Sequence, residues 1–166
     1  MITGKHVRLR AISRTDLPQF VVWLNDPEVV RYTSLYAPFS LEQEEQWFQK
    51  TLALSVDEQP LVIEVRIGDR WKAVGNVGFM NIDQRARSAE IGILIGEKDH
   101  WNKGYGTEAM QLMVDYGFGS LNLNRIHLRV YEINPRGIRC YEKVGFQHEG
   151  RLRQAYYLEG KYIDIL

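Results

Sequence analysis

The stretch Trp101-Asn102-Lys103-Gly104-Tyr105-Gly106-Thr107 has the residue types that hold an anion on main-chain groups. Its two glycines open a segment in which Tyr105, Ala109, Leu112, Met113 and Tyr116 recur at helical spacing. Glycine leaves backbone N–H groups open to an approaching anion. The unpaired amides and positive dipole end of a helix start then favour a phosphate. The expectation is a pyrophosphate cradle. A nucleotide-triphosphate loop needs Gly-x-x-x-x-Gly-Lys-Ser/Thr, which does not occur in this chain. Gly104-Tyr105-Gly106-Thr107-Glu108-Ala109 does match the dinucleotide fingerprint Gly-x-Gly-x-x-Gly/Ala, so a nicotinamide-dependent oxidoreductase is an alternative. That fingerprint should follow its strand directly, whereas residues 97–103 separate Gly96 from Gly104. No acidic strand end follows about twenty residues later to hold a ribose.

A second motif lies downstream: Asn134-Pro135-Arg136-Gly137-Ile138-Arg139-Cys140-Tyr141-Glu142-Lys143-Val144-Gly145-Phe146. Together the two stretches resemble the GNAT family of N-acetyltransferases. Its coenzyme A loop reads Arg/Gln-x-x-Gly-x-Gly/Ala, and its later helix reads Asn-x-x-Ser/Ala-x-x-x-Tyr-Glu-Lys-x-Gly-Phe. Gly104 and Gly106 match, and Trp101 stands where Arg or Gln is usual. That departure looks like the branch that acetylates ribosomal-protein N-termini and related small amines (RimJ/RimL-like). Gly137 replaces the usual small residue. The resemblance covers nearly the whole chain. It implies a three-layer α/β (α+β) fold, with a mixed, mostly antiparallel central sheet whose central strands splay apart between flanking helices. It also implies acetyl-CoA as co-substrate, a primary amine as acceptor, and direct transfer in a ternary complex without a covalent intermediate. A non-catalytic acyl-CoA-binding module would keep the cradle without transfer; Tyr141 argues against it.

By this resemblance, main-chain groups of Trp101, Asn102, Lys103, Gly104, Tyr105, Gly106 and Thr107 hold the diphosphate. Those of Leu94, Ile95 and Gly96 meet the pantetheine amides and the thioester oxygen where the strand loses its ladder partner. Asn134 caps its helix and touches the coenzyme, with Gly137 beside it. Tyr141 is the candidate acid, because a phenol pKa of about 10 lies near that of a thiol leaving group. Its spacing from Ile138 and Val144 also suits packing. Glu90 is the candidate base, directly or through a water, since a carboxylate on an apolar strand has a raised pKa. An ion pair with Arg85 or Arg87 is the other reading of Glu90. His127 and His148 are further base candidates, each read as solvated or hydrogen-bonded, and Cys140 as a small buried thiol. In the acceptor segment 25–39, Asp26, Glu28, Tyr32 and Tyr36 would attract and cover a cationic amine. An α-amine with a pKa near 8 loses its proton more easily than a lysine or polyamine near 10, which tilts towards peptide N-termini without excluding polyamines.

Composition bounds the rest. Lys and Arg number 21 against 21 Asp and Glu, so no nucleic-acid or acidic-membrane partner is expected. One cysteine excludes an internal disulfide and fits a reducing compartment. The absence of a bilayer-length apolar run or signal-peptide layout makes a cytoplasmic location the expectation. No metal-ligand spacing occurs. One domain over residues 1–166 is expected, with a homodimer left open. The chain stops inside a strand pattern, which leaves room for a longer natural protein.

The elements that must position these residues follow from periodicity. Residues 7–12 alternate as a strand; Leu17, Phe20, Val21 and Leu24 stripe a helix that Asn25-Asp26-Pro27 ends. Residues 28–39 read as irregular, and Ser40-Leu41-Glu42-Gln43 as a capping box opening a second helix. Strands over 61–67 and 71–82 make a hairpin, followed by a charged turn and the apolar strand 89–96. Residues 125–131 read as a strand with Ile126, Leu128 and Val130 inward. Asn134 and Gly145 bound a short helix, and 146–152 with 155–166 read as a closing hairpin that turns at Glu159-Gly160.

Overall fold

A computed structural model describes residues 1–35 and 38–166. Strands β1 (Ile2–Thr3), β2 (Val7–Ala11), β3 (Leu61–Ile67), β4 (Arg70–Asp83), β5 (Ser88–Ile95) and β6 (Arg125–His127) form one sheet in that order. The first five pair antiparallel, and β5 with β6 is the parallel pair. Alternation along the strands fills two layers. Val7, Leu9, Ile63, Val65, Phe79 and Ile91 point to a cluster completed by Ala109, Met110 and Met113 of α4 (Tyr105–Gly119). Val62 points the other way, to Leu17, Phe20 and Trp23 of α1 (Leu17–Leu24) and Phe48 of α3 (Leu41–Leu52). A sheet with both faces covered is the expected three-layer arrangement.

Polar contacts fix the elements to one another. Glu64, almost buried, accepts from Arg8 and Arg10 (2.5 and 2.9 Å), and Arg10 reaches on to Asp16 at the start of α1 (2.7 Å). Glu108 in the first turn of α4 accepts from the N–H groups of His6 and Val7 (2.8 and 3.1 Å), which sets where α4 begins. The capping box at Ser40 forms, with Gln43 reciprocating.

The feature that matters for function is where β5 and β6 part. They are in register only over Ser88↔Arg125, Ala89↔Ile126 and Glu90↔His127. Beyond His127 the chain leaves β5. Val130 then exchanges two hydrogen bonds with Leu166 (2.8 and 3.0 Å), and Tyr131 bridges to Ile165 in β8 (Lys161–Ile165). The second half of β5 thus faces a gap, as the resemblance implied.

The structure differs from the sequence reading in three places. The strand expected over 125–131 keeps only three ladder residues, because its second half turns to β8. Residues 27–30 form a short helix, α2 (Pro27–Val30), whose N-cap is Asp26. Residues 146–151 are not a strand: side chains hold them, with Glu149 on Arg125 and His148 on Glu142. The closing hairpin pairs β7 (Leu152–Leu158) with β8 and turns at Glu159 and Gly160, both with positive φ.

The end of β5 is clamped from the α1 side. A Cβ on Gly96 would lie 2.1 Å from the Trp23 ring, whose Nε1 donates to Glu97 (2.9 Å); Lys72 donates to the same carboxylate (2.6 Å). Gly96→Ala should therefore cost about 1–3 kcal/mol by overpacking, read as a lower urea midpoint at unchanged m-value. A wild-type midpoint would show that Trp23 can move aside.

Candidate active site

A cavity of about 320 Å³ opens between the end of β5, the start of α4 and α5 (Pro135–Val144). Its floor is the glycine loop expected from sequence to hold an anion. Asn102 and Gly104 both take positive φ (59° and 85°), curling the chain so that successive N–H groups face one side. Gly104 is the N-cap of α4 and offers no side chain, so the first amides of the helix stay uncapped. Ser40 and Asn134, by contrast, cap α3 and α5 with their side chains. A Cβ on Gly106 would come no nearer than 3.7 Å to its closest neighbours, Ile95, Cys140 and Ile93, so this glycine keeps the cavity floor open. Of the loop residues named from sequence, Lys103 alone does not line the cavity.

One wall is the unpaired edge of β5. Gly96 and Glu97 donate to the Val74 carbonyl (2.8 and 3.1 Å), and Asn76 faces Leu94 across the ladder. Antiparallel alternation therefore turns the N–H and C=O of Ile95 away from β4, into the gap. The Ile95 carbonyl accepts from the Trp101 indole at 2.7 Å. Of the three strand residues named from sequence, Leu94 and Ile95 line the cavity and Gly96 does not; the main-chain groups of Leu94 pair with β4, and the Ile95 N–H is the donor directed into the gap.

Helix α5 forms the other wall. Asn134 Oδ1 accepts from Gly137 N (3.0 Å), and a Cβ on Gly137 would strike the Asn134 side chain at 2.7 Å. That contact explains why a minimal residue stands there. Cys140 Sγ accepts from Thr107 Oγ1 (3.5 Å), and burial pushes its thiol up, which suits packing and not a nucleophile. Tyr141 reaches the same cavity, packed edge-to-face on Phe146. Burial pushes its phenol up to about 12, so the hydroxyl keeps its proton at every physiological pH. Its hydroxyl has no hydrogen-bond partner among the described residues.

Several sequence-named residues are not brought to this cavity. Glu90 sits where β5 and β6 are still paired, and its carboxylate takes both Nε (3.0 Å) and Nη2 (3.1 Å) of Arg129. That ion pair holds it below the usual glutamate value, the reverse of what a base needs. The expected arginine partner, Arg85 or Arg87, is replaced by Arg129. Asp26 is taken up by capping α2 and, with Glu28, by Lys98 Nζ (2.7 Å to each). Tyr32 does line the cavity; Tyr36 lies outside the described residues. His127 and His148 line a separate cavity of about 410 Å³ between β6 and α5.

Sequence reasoning missed Arg136, Arg139, Lys143 and His100, which all line the cavity. The spacing of the first three, i, i+3, i+7, was a legible sign of one basic helix face. The dinucleotide reading fails on topology, because the strand before the glycines is antiparallel to β4 and has three residues of parallel ladder, not a parallel βαβ sheet. Among the described residues no cluster of His, Cys, Asp and Glu could hold a metal, and no helix is long and apolar enough to cross a membrane.

Comparison with known proteins shows the family. The model of the acetyltransferase (GNAT) domain matches residues 6–147. An uncharacterized N-acetyltransferase, p20, of Bacillus licheniformis is 34% identical over 97% of this chain and 90% of its own length. Spermidine N(1)-acetyltransferase of Vibrio cholerae is 30% identical over 98% of this chain and 91% of its own. A crystal structure of spermidine N-acetyltransferase from Vibrio cholerae, in complex with CoA and spermine, superposes with a TM-score of 0.88 at 29% identity, covering 98% of this chain and 93% of that one. On the match of domain model, near-full-length relatives and fold, this chain belongs to the GNAT acetyltransferase family.

Proposed function

We propose that this chain moves the acetyl group of acetyl-CoA to a small primary amine, by direct attack within a ternary complex. The observation that carries the reading is the meeting, along one cavity, of an uncapped helix start, a strand edge without a neighbour, and Tyr141, which lines this cavity as well as the one beside β6. The amides of residues 102–107 receive the diphosphate. The Ile95 N–H, directed into the gap, offers a donor to the thioester oxygen as charge develops on it. Tyr141 protonates the departing sulfur. A phenol near 12 is a weaker acid than an unperturbed one, but it is always in the donating form.

The amine must lose a proton before it attacks. With Glu90 committed to Arg129, that proton leaves through solvent, and the rate should follow the ionisation of the acceptor itself. Glu90→Gln is accordingly expected to keep kcat/KM within about twofold from pH 6 to 9, in a pH–rate profile. Loss of the rising limb would return Glu90 to the role of base.

A polyamine is the acceptor best supported. Two relatives of 30% and 32% identity, from Vibrio cholerae and Escherichia coli, are spermidine N(1)-acetyltransferases, and the structural neighbour holds spermine. Tyr32 at the cavity mouth supplies a ring face for an ammonium. A protein N-terminal α-amine is the second acceptor, favoured only by its lower pKa. Thiol release from acetyl-CoA across spermidine, spermine, monoamines and short peptides tests the reading. Turnover with polyamines above the rest supports it; no turnover with any amine, despite bound acetyl-CoA, leaves the non-catalytic module.

A further inference from the structure

Arg136 is the second residue of α5. It is half-buried in the cavity wall, and burial pushes its guanidinium below the usual arginine value. Arg8, Arg10, Arg125, Arg129 and Arg151 all hold carboxylates. Arg136 has neither an ion pair nor a hydrogen bond among the described residues. Glu28, the carboxylate whose charge Arg136 feels, is held by Lys98 at 2.7 Å. What Arg136 does have is a platform, since its Cζ lies 3.7 Å from the centroid of the Trp101 ring.

Trp101 is itself fixed, through Nε1 on the Ile95 carbonyl. A guanidinium held over an indole face keeps its N–H groups for an anion, and arginine binds phosphate bidentately through that edge. Stacking offsets only part of the cost of withdrawing a charge from water, so the arrangement is completed by an anion arriving from the cavity. The glycine loop aims no cation there, because Lys103 is exposed and outside the lining.

We propose that Arg136 is a phosphate-binding side chain of the donor site. Trp101 holds its guanidinium at the cavity wall so that its free edge takes a phosphate of coenzyme A, and α5 supplies the cation the loop lacks. This rests on the donor reading given above. Coenzyme A carries two kinds of phosphate, the diphosphate and the 3′-phosphate, and both fit the same chemistry.

Isothermal titration of the full chain with coenzyme A, 3′-dephospho-coenzyme A and pantetheine tests it. Arg136→Ala should weaken coenzyme A by about tenfold or more, as loss of a charge-assisted hydrogen bond does, and leave pantetheine unchanged. Arg136→Lys should restore only part, because an ammonium neither stacks nor forks. An equal loss for dephospho-coenzyme A assigns the contact to the diphosphate; a loss confined to coenzyme A assigns it to the 3′-phosphate. Unaltered coenzyme A affinity in Arg136→Ala, or an equal loss for pantetheine, overturns the proposal. If the unaltered chain binds no coenzyme A, the donor reading itself fails and takes this one with it.

Discussion

Replacing Tyr141 by Phe is expected to lower kcat by about a hundredfold while leaving coenzyme A affinity within about twofold. The asymmetry follows from what the residue does in the fold. Its ring packs on Phe146 and would do so equally as phenylalanine, and its hydroxyl has no hydrogen-bond partner to abandon among the described residues. The loss therefore falls on the proton delivered to sulfur, in the range general acids contribute. Because the phenol is pushed up to about 12, no break in rate from Tyr141 should appear below pH about 11. The same shift has a stability consequence. The folded state keeps a proton that the unfolded chain releases near pH 10, so stability should fall as pH rises from about 10 towards 12. Wild-type turnover in Tyr141→Phe, measured where chemistry is rate-limiting, would remove the acid role and leave Tyr141 a packing residue.

Gly106→Leu should abolish donor binding without unfolding the chain. The new Cβ meets Ile95, Cys140 and Ile93 at ordinary contact distance, and leucine is a better helix former than glycine. The remaining carbons point to the cavity floor, where the coenzyme arm is proposed to pass. A ligand at a hundred times its dissociation constant stabilises by about 2.7 kcal/mol, and that increment should vanish from the melting curve of the variant. A full acetyl-CoA shift in Gly106→Leu would place the coenzyme elsewhere.

The parts of this site legible in sequence are those with local causes. Asn134 reads as a cap because a short amide at a helix start has one obvious use, and Gly145 reads as a stop because it closes the helix at positive φ. The glycine loop that opens α4 was legible for the same reason. What depended on long-range partners was not. Glu90 looked like an isolated carboxylate on an apolar strand, and nothing nearby announces Arg129, 39 residues on, which reaches it only because β5 and β6 pair there. Asp26 and Glu28 looked like a free acidic pair until Lys98, about 70 residues away, closed on both. Trp101 was visible as a departure from the motif, but its two jobs, capping Ile95 and bearing Arg136, needed the fold. The gap was anticipated by resemblance, and its physical cause is that the chain after His127 prefers Leu166 to β5.

Backbone amides at the start of α4 are expected to receive the diphosphate of acetyl-CoA. Titrating the isotopically labelled chain with acetyl-CoA and following each backbone amide by NMR tests it most directly. The largest shifts are predicted at residues 102–107 and at Ile95, saturating together. Unmoved amides there, with shifts gathered instead around His127 and Phe146 in the other cavity, would contradict the account.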